Sequence, residues 1–298
     1  MKISNFLIGV LLVSAACSSN TKETPKGYKY TMLKEGEGEK GNVGDYLLIN
    51  MMIKDANDSV WNDTRAQKFP MILPIGESNP ADEGIEEIFP LLKKGDSILF
   101  KMPAKTLFEK QGGRVPSNVD STSTFTFLLG VKEIMNEEQV RTLEQEIMQK
   151  LTSEQMSKDL NIIDSYLAAN NIEAKTTESG LRYQFTKVGK GNNAAAGNQV
   201  SIHYAGYLMD GTLFDSSIES VARANNAFME GRPYEPLTLE AGSGQVISGW
   251  EEAILLMNKG SKMRVWIPSP LAYGPRQRSA VIKENSILVF DMEMIDIK

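Results

Sequence analysis

The 298-residue chain has one cysteine, Cys17, and one histidine, His203. A lone cysteine excludes an intramolecular disulfide. One Cys and one His are also too few for a dedicated zinc site or a Cys/His nucleophilic pair. Positive charge is in short supply as well. The 32 Lys and Arg face 38 Asp and Glu, for a formal net charge of −6 and a pI near 5.1, which argues against a nucleic-acid partner. The apolar run from Phe6 to Val13 is far shorter than the ~20 residues that span a bilayer as a helix. What remains is 41% hydrophobic and 23% charged. That is the composition of a globular protein, with length for about two domains that each bury a core.

The start of the chain, MKISNFLIGVLLVSAAC, places Lys2 before the apolar run and small residues before Cys17. This order reads as a signal peptide over 1–17. Small residues followed by Cys resemble the lipobox of bacterial lipoproteins, in which cleavage leaves a lipid-modified Cys. Ser14 departs from that pattern, which usually has Leu there, and a plain secretory signal with an incidental Cys is the alternative. The resemblance implies a lipoprotein anchored through Cys17 to a membrane of the cell envelope, facing the periplasm or the exterior. Two or more acyl chains make such anchoring stable. Residues 18–26, SSNTKETPK, suit a short tether.

From Gly27 onward the texture is strand-like, in DYLLINMMI (45–53), SILFKMP (97–103) and STFTFLLGV (123–131). Asn136 with Gln139 three residues on is a capping-box start, and Val140, Leu143, Ile147 and Leu151 follow at helical spacing. Thr152 to Gln155 can cap a second helix carrying Met156, Leu160, Ile163 and Leu167 on one face. This apolar stripe over 136–170 serves either as a homodimer seam or as packing against a neighbouring domain. Strand texture then returns from about Leu181.

One phrase occurs twice: GIEEIFPLLKKGD at 84–96 and GWEEAILLMNKGS at 249–261. Aligning Gly84 with Gly249 keeps Glu86/Glu251, Glu87/Glu252, Leu91/Leu256, Lys94/Lys259, Gly95/Gly260 and Pro103/Pro268 in step. GDYLLINM (44–51) lies under GNQVSIHY (197–204), and Trp61 under Phe214. Two copies are a duplication, not a stacking repeat.

The second copy carries VSIHYAGYLMDGTLFDSS (200–217), GQVISGWEEAI (244–254), SPLAYG (269–274) and ILVFDMEMIDI (287–297) in order. Over roughly 180–298 this resembles the FK506-binding-protein (FKBP) family of peptidyl-prolyl cis–trans isomerases. The resemblance implies an α+β fold of two FKBP-like domains, each a curved antiparallel sheet around a short helix, joined by an α-helical linker. The expected divisions are a degenerate domain over 27–135, a linker over 136–175 and an isomerase domain over 176–298. Carried over by position, Trp250 is the pocket floor, and Tyr204, Phe214, Val246, Ile247 and Phe290 are its walls. The Tyr273 hydroxyl and the Ile247 N–H hold substrate carbonyls, and Asp215 is the carboxylate at the edge. Leu237, Val281 and Ile282 add substrate contacts. His203 alternates out of phase with Val200, Ile202 and Tyr204 and reads as structural.

Rotation about an X–Pro bond breaks amide resonance against a barrier of ~18–20 kcal/mol. It needs no nucleophile, metal or other cofactor; a dry pocket with a few fixed dipoles favours the twisted amide. The expected partners are proline-containing polypeptide clients and the membrane, with no nucleic acid. Several features depart from the family pattern: Leu237 in place of a wall phenylalanine, Gln245 at an often acidic position, the loop PRQRSAVIKEN after Tyr273, and an insertion over 218–234. In the first copy Met51, Asn62, Ile85 and Phe108 lie under Tyr204, Asp215, Trp250 and Tyr273, with Asp82 near Ile247. The pocket residues are lost there, so that copy is expected to lack activity. A chaperone or peptide-binding lipoprotein without catalysis is the alternative function. A structural lipoprotein using the fold as a scaffold is a third.

Overall fold

The computed structural model describes residues 20–77, 85–110 and 112–298. Cys17 with its leader, Asp82 and Gly84 lie outside the described residues, as does the Ile85 side chain. The chain divides into two compact units, Met1–Glu146 and Ile147–Lys298. The division falls inside a long helix. No helix among the described residues is both long and apolar enough to cross a membrane.

The first unit is built on β1 (Lys29–Lys34), β2 (Tyr46–Lys54), β3 (Val60–Asp63), β4 (Met71–Pro74), β5 (Ser97–Pro103) and β6 (Thr124–Met135). They form an antiparallel sheet in the order β1-β5-β6-β2-β3, with β4 also pairing β2. Alternate residues such as Leu47 and Ile49 on β2, and Ile98 and Phe100 on β5, point into one core, as the period-2 pattern requires. The repeated phrase does not form a regular helix here. It makes two 3₁₀ turns, Ile85–Glu87 and Phe89–Leu91, that still bury Ile88 and Leu92. Pro90 is the cause, because a proline inside a helix lacks its N–H and clashes with the preceding turn. Helix α1 (Ala104–Lys110) follows β5.

Helix α2 (Glu137–Ala169) is one continuous helix. Its start is the expected capping box: the Asn136 N–H donates to Gln139 Oε1, and the Gln139 N–H donates to Asn136 Oδ1, both at 2.9 Å. The second cap expected at Thr152 is not used. Lys150, Leu151, Glu154, Gln155 and Met156 are all good helix formers with no Gly or Pro among them, so nothing makes the backbone leave helical dihedrals. The Ser157 hydroxyl donates to the Ser153 carbonyl at 3.0 Å, as hydroxyls do inside helices.

The second unit repeats the first strand for strand. Its elements are β7 (Arg182–Lys187), β8 (Gln199–Leu208), β9 (Leu213–Ser216), α3 (Glu219–Ala224), β10 (Leu237–Glu240), α4 (Ser248–Leu256), β11 (Lys262–Ile267) and β12 (Leu288–Ile297). The order is β7-β11-β12-β8-β9, with β10 also pairing β8. Helix α4 buries Trp250, Ala253 and Ile254 against Met263, Val265 and Ile267 of β11 and Leu288, Phe290 and Met292 of β12. Its entry requires Gly249, where a Cβ would come within 2.5 Å of Ile267. The opposite face of the sheet is covered too. There Ile163 and Leu167 of α2 pack on Trp266, Ile287 and Val289, so the C-terminal end of the stripe packs on its own unit.

Candidate functional site

Where α4 begins, four aromatic side chains from four elements converge. Trp250, near the start of the helix and 4% exposed, has its ring centroid 5.1 Å from Phe290 and 5.2 Å from Tyr204. Phe214 lies 5.5 Å from Phe290. All these pairs meet edge to face, the arrangement aromatic quadrupoles favour. Val246, Ile247 and Tyr273 are half-buried against the same cluster, and Ile282 is buried within it. Leu237 and Val281 do not join them. Leu237 pairs with Ile202 on an outer strand, and both Leu237 and Val281 are exposed.

The Trp250 indole N–H is buried without an acceptor among the described residues. An orphan donor of this kind costs roughly 1–3 kcal/mol, a penalty that packing alone gives no reason to keep. The Tyr273 ring lies under the Arg278 guanidinium, 5.8 Å away. Ile247 sits at the helix N-cap, and its carbonyl accepts the Trp250 and Glu251 N–H groups at 2.8 and 3.1 Å.

The polar edge is a three-residue network. The Tyr204 hydroxyl donates to Asp215 Oδ2 at 2.7 Å, and Arg232 Nη1 pairs with Asp215 Oδ1 at 2.5 Å. Arg232 Nη2 also reaches the Tyr204 hydroxyl at 3.4 Å. Burial, and then the bond to Asp215, push the Tyr204 phenol up to about 12. The raised value means the neutral phenol is the favoured form up to that pH, so Tyr204 remains a donor throughout the neutral range. Asp215 in turn holds the Arg232 guanidinium above its usual range.

Arg232 was invisible in the sequence because it enters from the 218–234 insertion. That segment folds back on itself. Arg223 lies 3.5 Å over the Phe228 ring, Phe228 stacks on Tyr234 at 5.6 Å, and the Met229 N–H donates to the Tyr234 hydroxyl at 2.9 Å. Gly206 also shapes the cluster. A Cβ there would come within 2.6 Å of the Phe214 ring and 2.7 Å of Phe290, so only glycine lets these two rings close over β8.

The same positions of the first unit are filled differently. Gly206 pairs with Phe290 and Asp215 across its neighbouring strands, and the equivalent register places Ile53 between Phe127 and Asn62. Trp61 leans edge-on against Phe125 at 5.1 Å, and its indole N–H donates to Asp55 Oδ2 at 3.0 Å. The Asn62 amide oxygen accepts from Gln67 at 3.2 Å. His203, across from Glu293, sits with its Nδ1 3.0 Å from the Ser217 hydroxyl. It lines a shallow depression together with the paired charges Lys262–Glu293 and Arg264–Asp291.

Residues 190–295 match the family profile described as FKBP-type peptidyl-prolyl cis-trans isomerase. The FkpA isomerase of Aeromonas hydrophila is 37% identical over 179 residues, covering 57% of this chain and 61% of that protein. FK506-binding protein 2 of Candida glabrata is 39% identical over 131 residues, which is 42% of this chain and 87% of the relative. Outer membrane protein MIP of Legionella longbeachae is 30% identical over 200 residues, with 64% and 79% covered. With a relative matched over most of its length at this identity, and with a sheet wrapped on one short helix as that family's motifs imply, the chain belongs to the FKBP-type peptidyl-prolyl cis-trans isomerases.

Proposed function

We propose that the second unit isomerises X–Pro bonds in the pocket floored by Trp250, and that the first unit is a non-catalytic copy. The observation that carries this reading is the closed aromatic cluster with a tied carboxylate at its edge. A proline ring seated on Trp250 between Tyr204, Phe214, Val246, Ile247 and Phe290 brings its amide out of water. Loss of hydration disfavours the charge-separated planar amide, and the Tyr273 hydroxyl and the Ile247 N–H would hold carbonyls of the twisted form. No proton moves and no bond is broken, so each ~1.36 kcal/mol of differential stabilisation raises the rate tenfold. In the first unit, Ile53 and Asn62 in the places of Gly206 and Asp215 support loss of the pocket. A first domain over 27–135 is part of that reading.

Similarity to FkpA and to a protein named for the outer membrane supports an envelope location and polypeptide clients. Anchoring through Cys17 is part of the proposal, resting on the lipobox-like leader; release of the chain by a Cys17→Ser substitution is its direct consequence. A homodimer through 136–170 would use only the part of the stripe N-terminal to Met156, because Met156 and Leu160 already lie against Gly180.

The test is turnover of a prolyl peptide by the full chain, its Tyr273→Phe variant and the isolated 27–135 segment. Turnover is expected in the parent, a fall of about tenfold in Tyr273→Phe, and none above the uncatalysed rate in 27–135. A folded parent without turnover would return the peptide-binding reading. Gly206→Ala offers a finer check. Its methyl must displace Phe214 or Phe290, so kcat/KM falls about tenfold, mostly through KM, and the overpacking also lowers the melting temperature by several degrees. Unchanged kinetics would mean that the two rings do not contact substrate.

A further inference from the structure

Asp159 is a carboxylate 1% exposed in α2, far along the chain from every pocket residue. A buried carboxylate is costly unless hydrogen bonds saturate it, and here they do. Gln155 Nε2 donates to Oδ1 at 2.7 Å, while the Ser269 N–H and hydroxyl both donate to Oδ2, at 2.7 and 2.5 Å. A hydrophobic side chain at 159 would pack the helix without that desolvation cost. The carboxylate is therefore explained by what it holds.

It holds the turn that carries Tyr273. Ser269, itself fully buried, opens the 3₁₀ turn Ser269–Leu271. Its carbonyl accepts the N–H groups of Ala272 and Gly274, at 2.9 and 2.8 Å. Those are the two amides on either side of Tyr273. Asp159 thus fixes Ser269 by two bonds, and Ser269 fixes the backbone of Tyr273 by two more. Among the described residues the first unit has no such device at the matching place. Ala104, without a hydroxyl, stands after Pro103 where Ser269 follows Pro268, and its N–H donates to the Ser123 carbonyl instead.

We infer that Asp159 is a positioning residue for Tyr273, so that α2 completes the catalytic unit rather than merely leading to it. The inference rests on the proposed role of Tyr273 in the pocket. It is tested in the full chain by a cycle of Asp159→Ala, Tyr273→Phe and the double variant. Asp159→Ala is expected to lower kcat/KM about tenfold in the parent, but less than about twofold when the Tyr273 hydroxyl is already absent. Equal losses in both backgrounds overturn the inference. If Asp159→Ala does not fold, Asp159→Asn, which keeps the shape and one oxygen, runs the same cycle and is held to the same coupling.

Amide hydrogen exchange gives a readout independent of turnover. Asp159→Ala should speed exchange at Ala272 and Gly274 about tenfold while Ile254 in α4 is unchanged. No change at 272 and 274, or an equal rise at all three, overturns the assignment. A chain that shows this exchange pattern but no turnover would instead remove the isomerase reading of the pocket and leave Asp159 as the residue that sets the turn.

Discussion

Asp215→Ala should lower kcat/KM for a prolyl peptide roughly 10- to 30-fold, while the chain stays folded. Besides the Ser216 N–H, the carboxylate holds two side chains, and both lose their place without it. Tyr204 loses the acceptor 2.7 Å away, and Arg232 loses its counter-charge. A guanidinium only about a quarter exposed beside apolar rings does not stay there unpaired. It swings to water and takes with it the insertion, whose Tyr234 ring it lies 5.7 Å from. The variant thus removes a dipole and loosens a wall in one step. Asp215→Asn keeps the hydrogen bond to Tyr204 but not the charge, so its loss should be smaller, and Arg232→Leu should lie between Asn and the parent. The global stability cost is modest because all three groups are partly solvated, where ion pairs contribute little. Parental turnover in a folded Asp215→Ala chain would place the chemistry elsewhere.

What the sequence made legible was local. The strand Ser97–Pro103 follows from its local pattern, the helix Ser248–Leu256 from the family resemblance, and the capping box at Asn136 forms as its spacing predicts. The aromatic cluster was legible through family motifs, because each motif travels with its own strand or turn. The rest depends on partners that no local pattern links. Arg232 meets Asp215 across an insertion with no periodicity of its own. Ile53 lies under Gly206 in the gapless alignment, but that Gly206 makes room for the Phe214 and Phe290 rings depends on strand register. Asp159 and Ser269 are separated by most of the second unit. Leu237 and Val281, which the family motifs also assign to substrate contacts, are exposed on their strand and loop. Leu237 shares the core-side face with Leu239 and with Ile202 opposite it, but stands at the first position of its strand, where less of the sheet covers it.

The same difference decides where the second unit starts, and it has a large measurable consequence. Strand texture begins near Leu181, which suggests a fragment from 176, whereas the compact unit begins at Ile147. A 176–298 fragment should therefore melt roughly 10–20 °C below a 147–298 fragment. Removing the helix uncovers Trp266, 1% exposed in the intact unit, with Ile287 and Val289 beside it. It also deletes Ile163 and Leu167, whose burial is worth about 1.5–3 kcal/mol each against a typical total of about 5–15 kcal/mol for a domain. The bidentate pair between Arg182 and Asp164, at 2.8 and 3.0 Å, and both bonds from Ser269 to Asp159 go as well. Thermal melts followed by tryptophan fluorescence would show both effects, since an uncovered Trp266 emits at longer wavelength in the shorter fragment even before unfolding. Melting points within a few degrees of each other would mean that the helix is a tether lying on the sheet. A wide gap would mean that the helix is part of the core that holds the proposed pocket in shape.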